Sequence, residues 1–180
     1  SGMLRQGHSL NQLWKQIHML EQQWNYDLAH SDCHFPQLVG IDAASSEFNC
    51  RPEVFAPIFR YARFRGMSNQ TFHAGEDFYD LLDGLRTVDE TIFYMRFTLG
   101  NRIGHGLALG TPAVKYYKSR HNTIIIPQQI LLDNLVWLKY RTKEFNISLS
   151  EKVQLFIEQN YMRLLSLLRY PICDMYTYWQ

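Results

Sequence analysis

The chain of 180 residues has no His-x-His triplet, no adjacent pair of aspartates and no C-x-x-C spacing. Without paired thiols, zinc-ribbon and dithiol redox chemistry have no foothold. Its three cysteines, Cys33, Cys50 and Cys173, are odd in number and far apart, which suits free thiols in a reducing cytoplasm. No Gly-x-Ser-x-Gly elbow, Walker-type loop or dinucleotide glycine loop is present, so the sequence offers nothing for serine-nucleophile chemistry or for those phosphate cradles. No apolar run approaches the ~20 residues that span a bilayer, and the N-terminus lacks a signal-peptide stretch. Net charge is only +1, which gives no bulk attraction to nucleic acid or an anionic membrane. Arg60, Arg63, Arg65 and Arg102 lie near aromatics but are interspersed with acidic residues; they read as a solvated face. There is no fixed-period repeat, low-complexity tract or evident linker. Ser1-Gly2 ahead of Met3 has the look of a protease scar from an expression vector, which would make Met3 the start of the cloned piece.

What is present is an ordinary globular composition, 46% hydrophobic and 19% charged, with length enough for a substantial core. Eleven Tyr, eleven Phe and four Trp exceed what the amphipathic stripes use; the surplus suits either core packing or contact surface. Leu10, Leu13, Trp14, Ile17, Leu20 and Trp24 recur at helical spacing behind a Ser9/Gln12 capping box. Leu38-Val39-Gly40-Ile41 reads as a buried strand. Arg51 to Arg65 is predicted helical, kinked or shortened at Pro57 and stopped at Gly66. Thr71-Phe72-His73 is a second strand. Asp77 to Thr98 is helical, with a break at Gly84 and apolar surface from Leu81, Leu82, Leu85, Ile92, Phe93 and Phe97. Arg102-Ile103-Gly104-His105 is a third strand. Long connections between short strands predict parallel β/α units. Beyond Gly110 the pattern is mainly helical: Thr123 to Ile126 suits a strand, or Pro127 the first turn of a helix, and Ser148 with Glu151 forms a capping box for a last amphipathic run. The expected domains are therefore 1–110, the β/α segment, and 111–180, a helical extension or insertion.

Two runs carry the chemistry: Thr71-Phe72-His73-Ala74-Gly75-Glu76 and Arg102-Ile103-Gly104-His105-Gly106. A histidine at the C-terminal end of a parallel strand can aim a ring nitrogen at a metal. Gly75 permits the tight turn that brings Glu76 to the same side, where a carboxylic acid can pass a proton to a leaving group or a heterocycle nitrogen. His105, between two glycines, can orient or deprotonate a water. The same residues also suit a hydrogen-bonded core histidine, a carboxylate at a helix N-terminus and a turn histidine. Asp42 and Glu47, after the first strand, suit either support of a site or capping of the helix that follows, with supporting and structural roles favoured.

In combination, Val39-Gly40-Ile41-Asp42…Glu47, His73-Ala74-Gly75-Glu76 and, about thirty residues on, Arg102-Ile103-Gly104-His105-Gly106 resemble the adenosine and AMP deaminase family of metal-dependent amidohydrolases, over roughly residues 38–110. The resemblance implies α/β architecture, with about three parallel β/α units of a partial (β/α) barrel; the mainly helical C-terminal third does not read as the family's next barrel units. The resemblance also implies His73 as a zinc ligand, Glu76 as the acid that protonates a purine ring nitrogen and His105 as the group that orients the attacking hydroxide. The reaction implied is hydrolytic deamination of an adenine nucleoside or nucleotide. The family's His-x-His and Asp-Asp have no counterpart here, family members usually carry glycine where Ser45 stands, and a full barrel typically needs about 250 residues. The implied whole is thus a larger zinc protein in which this chain, inactive and without tight zinc alone, needs the remainder of the barrel or a second chain. Open strand edges would favour self-association. The other class is a non-catalytic interaction or assembly module that keeps the half-fold, with Trp137, Tyr140, Tyr176, Tyr178 and Trp179 as contact surface.

Overall fold

The computed structural model of the chain describes residues 2–30, 38–44, 46–48 and 51–179. Cys33, Pro36, Ser45 and Cys50 lie outside the described residues. The chain divides into two compact units, Ser1–Pro112 and Ala113–Gln180.

In the first unit, β1 (Ile41–Ala43), β2 (Gln70–Ala74) and β3 (Arg102–His105) form a parallel sheet in sequential order. Helix α2 (Pro52–Phe64) links β1 to β2, and α3 (Leu81–Tyr94) links β2 to β3. The sheet is open, with β1 and β3 as its edges among the described residues. Alternation along the strands sorts its two faces. Phe72 and Ala74 of β2 pack with Ala56 and Phe59 of α2 and Val88 of α3, and Ile41, Ala43 and Ile103 join that layer. Phe72 meets Phe55 and Phe59 edge-on at centroid distances of 5.2 and 5.7 Å. Fully burying a ring such as Phe59 or Phe72 contributes roughly 1.5–3 kcal/mol. Register puts Asp42 beside Thr71, Thr71 beside Arg102 and His73 beside Gly104. These residues occupy the opposite face, where His73 and Thr71 stay half-buried and Asp42 and Arg102 exposed.

Helix α1 (Gly2–Ala29) packs Ile17 against Ile58, Ala62 and Met67. The sequence-predicted cap at Ser9 is corrected: the helix already runs through Met3, Leu4, Arg5 and Gln6, good helix formers, so Ser9 is interior. The first strand is shifted as well. Pairing begins only where Ile41 N–H reaches the Asn69 carbonyl at 3.0 Å, and Val39 is exposed. Gly40 presses so closely on Asn69 that an added Cβ would sit 2.2 Å from its carbonyl oxygen. In α2, Pro52 occupies the first turn and Pro57 lies inside an unshortened 13-residue helix. Gly66 follows it at φ +96°.

Helix α3 differs most from expectation. Asp80 caps it by accepting from Leu82 N–H at 3.2 Å, so residues 77–79 stay outside. Gly84 does not break it; a Cβ there would lie 2.7 Å from Phe78 and 2.8 Å from Ala108, so glycine permits close packing. Beside the buried Leu81 and Val88, its buried residues include a polar set, Asp83, Arg86, Thr87, Glu90 and Thr91, whereas Ile92 and Phe93 are exposed. Arg86 bonds Glu90 at 2.9 Å and Asp83 at 3.2 Å, and Arg51 reaches Asp83 at 3.1 Å. Mutual charge satisfaction is what lets these groups be buried.

The second unit contains α5 (Ala113–Ser119), α6 (Gln128–Glu144), α7 (Glu151–Leu168) and α8 (Met175–Trp179). Leu132, Leu135 and Val136 pack against Ile157, Tyr161, Leu164 and Leu165. Thr123 to Ile126 form no strand, and Pro127 caps α6. The cap of α7 is Ser150, accepting from Val153 N–H at 3.4 Å, rather than Ser148. Of the aromatics expected as contact surface, Tyr176 is exposed. Tyr178 instead turns inward, donating to Asp133 at 2.7 Å. No helix among the described residues is long and apolar enough to cross a membrane.

Candidate functional site

The C-terminal ends of β2 and β3 bring together His73, Glu76 and His105. His73 sits one residue before the end of β2, on the sheet face opposite the one that α2 and α3 pack against. Its ring lies flat against β3 because the neighbouring position is Gly104; a Cβ there would be 2.6 Å from His73 Cδ2 and 2.7 Å from Nε2. Glycine is required here by close approach of the imidazole rather than by backbone twist. Asp42 of β1 places Oδ1 3.3 Å from His73 Nδ1. The pair is close but not aligned as a hydrogen bond, and Nδ1 is buried without one.

Ladder register alone would send His105 to the helix side, since its partner across the ladder is Ala74. A three-residue turn prevents this: Gly106 N–H donates to the Gly104 carbonyl at 2.7 Å, and His105 adopts φ +55°. That left-handed backbone is costly for a side-chain-bearing residue. Its consequence is that the His105 ring comes within 5.2 Å of the His73 ring, centroid to centroid. His105 Nε2 lies 3.6 Å from Glu76 Oε2. The helix α4 (Leu107–Gly110) follows directly.

Glu76 rides on the turn after β2. Gly75 takes φ +72°, and its carbonyl accepts from Ala108 N–H at 2.9 Å. From the other side comes Glu47, a buried carboxylate. Its Oε2 accepts from Gly75 N–H at 2.8 Å, and its Oε1 accepts from the N–H groups of Glu76 and Asp77 at 2.8 and 3.2 Å. Burial raises the Glu47 carboxyl above the usual carboxylate range, against the pull of those three donors. Glu47 therefore does not cap α2, whose N-cap is Arg51 without a side-chain bond; it secures the turn that carries Glu76.

The arrangement places one imidazole beside a carboxylate–imidazole pair on a half-open polar surface. Side-chain exposure is 21% for His73, 41% for Glu76 and 51% for His105. A carboxyl and an imidazole at this separation could hold a water or a polar ligand atom between them and exchange protons with it. Among the described residues, no three His, Cys, Asp or Glu side chains converge in a way that could hold a metal ion. These residues by themselves therefore do not fit a tight zinc site, which wants four ligands, or three and a water.

All three residues singled out in the sequence, His73, Glu76 and His105, fall in this cluster, with Asp42 against its edge. What sequence reading missed was the reach of Glu47 to residues 75–77. No local spacing signals a contact across 28 residues. The buried Arg51–Asp83–Arg86–Glu90 network was missed too, although the 83, 86, 90 spacing on one helix face could have revealed it. No family model and no curated protein matches the chain.

Proposed function

We propose that this chain forms part of a zinc-dependent hydrolase of the adenosine deaminase kind, acting in the cytoplasm on an adenine nucleoside or nucleotide. The observation that carries the reading is the approach of His73, Glu76 and His105 at the ends of two adjacent parallel strands, with Glu76 and His105 3.6 Å apart. In this reading Glu76 carries the proton given to the purine ring nitrogen, making the adjacent carbon electrophilic. His105 accepts a hydrogen bond from the attacking water and fixes its direction. His73 is the imidazole offered to zinc.

Sequential strand order with α2 and α3 packed on one face supports a segment of a (β/α) barrel, in which the opposite face would point into the barrel. The exposed Ile92 and Phe93 of α3 and Leu107 and Leu109 of α4 suit contact with further barrel units, supplied by the remainder of the protein or by a second chain, and would drive self-association in their absence. With the ligand set incomplete among the described residues, the chain alone should, on this reading, bind no stoichiometric zinc and release no ammonia. The test is the product of the full reading frame encoding this chain, loaded with zinc and assayed for ammonia release from adenosine, AMP and ATP. Activity that is abolished by His73→Ala and by Glu76→Ala supports the deaminase. A folded, zinc-loaded protein with no activity on any of the three would favour a non-catalytic assembly module.

A further inference from the structure

The three-way grip of Glu47 has a consequence for the site, one that rests on the reading just proposed. We propose that Glu47 is the positioning residue of the Glu76–His105 pair, setting where the Glu76 carboxylate stands through the backbone of residues 75–77. The loop after β1 carries Glu47 under the turn after β2. There it engages three consecutive N–H groups, at 2.8, 2.8 and 3.2 Å. On the far side of the turn, Ala108 N–H holds the Gly75 carbonyl at 2.9 Å. The turn is thus clamped between segments from both flanking strands, and Glu76 has little backbone freedom left. Only side-chain torsions separate that fixed backbone from the Glu76 carboxylate, whose Oε2 lies 3.6 Å from His105 Nε2.

The chemistry of the grip is specific to a carboxylate. Each oxygen faces donors only, so no amide can replace it fully. Glu47→Gln keeps one carbonyl oxygen but turns an NH2 toward at least one of the three backbone N–H groups. Whichever way the amide is flipped, one donor meets another, and a buried donor without an acceptor is expensive. The turn must move or open, and Glu76 moves with it. His73, whose ring is fixed by Gly104 and lies beside Asp42, should stay in place.

The experiment is nuclear magnetic resonance on this chain with Glu47→Gln, with Glu76→Gln and with both. In the native background, Glu76→Gln should shift the His105 ring resonances. In the Glu47→Gln background that response should largely vanish, and the amides of Gly75, Glu76 and Asp77 should exchange about tenfold faster or more, with α2 and α3 amides unchanged. Asp42→Asn, the control, should leave residues 75–77 alone. An undiminished His105 response, or exchange that rises uniformly through the first unit, would overturn the proposal. Should Glu47→Gln fail to fold, Glu47→Asp, which keeps the charge but falls one methylene short, is read in the same way. None of these readouts depends on catalysis. An inactive full-length protein would sink the deaminase reading while leaving this one standing, and an intact response would do the reverse.

Discussion

Glu90 offers a sharp test of how the first unit balances burial against charge pairing. It is buried in α3, 2.9 Å from Arg86, with Arg51 3.7 Å from its other oxygen. Burial pushes its carboxyl up from 4.5 to about 7, the two arginines pulling the other way. A carboxyl that binds its proton more tightly folded than unfolded stabilises the fold fully below pH 4.5. That contribution is lost as pH rises toward 7, and the loss is complete above it. At about 1.4 kcal/mol per pKa unit, the span from 4.5 to about 7 is about 3–4 kcal/mol. Glu90→Gln mimics the protonated form and cannot ionise. The variant should match the parent near pH 4 and exceed its stability at pH 8 by up to about 3–4 kcal/mol. Glu47 is raised as well and contributes in the same direction, so the difference between parent and variant is the quantity to follow. Urea unfolding at pH 4, 5, 6, 7 and 8, monitored through amide resonances of the first unit, would supply it. If Glu90→Gln is instead less stable at pH 8, by the 3–5 kcal/mol typical of breaking a buried ion pair, pairing with Arg86 and Arg51 outweighs desolvation and the reasoning fails.

Other substitutions probe the site's geometry. Gly104→Ala should force the His73 ring off β3, since the new methyl would stand 2.6 Å from it. Calorimetry should find a cost of about 1–3 kcal/mol, and the nuclear Overhauser contact between His73 and Asp42 should disappear. His105→Gly removes an imidazole held at φ +55°, a conformation glycine adopts freely. It should raise the stability of the first unit by about 1 kcal/mol while, on the deaminase reading, ending ammonia release by the full-length protein, a trade expected when strain is kept for function.

How far the sequence reveals this molecule depends on the range of the interactions involved. β3 was legible to the residue, because Arg102-Ile103-Gly104-His105 is bounded by turn-forming glycines on both sides. The parallel order followed from connection length. Boundaries moved for two reasons: a distant residue, Asn69, sets where β1 begins to pair, whereas a choice among neighbouring caps, Asp80 rather than Glu76 or Asp77, sets the start of α3. The inside of α3 was misjudged for a further reason. Apolar spacing pointed to Ile92 and Phe93 as core, but Arg51, arriving from the loop before α2, allows Asp83 and Glu90 to be buried instead. His73, Glu76 and His105 could be picked out as candidates because glycine-flanked ionisable residues at strand ends are a local pattern. That His105 should leave the ladder's alternation, and that Glu47 should hold Glu76's turn, depends on backbone torsion and long-range contact, and neither is written in spacing.

The most direct test of the central claim, that Glu76 and His105 work as one unit, is a double-mutant cycle in the zinc-loaded product of the full reading frame. Ammonia release would be measured for Glu76→Gln, His105→Ala and the two combined. Each single change should lower kcat by about 10²–10⁴-fold, and the double variant should be scarcely worse than the poorer single one, as for groups that share a step. Losses that simply multiply, or single variants that keep near-native rates, would contradict the account.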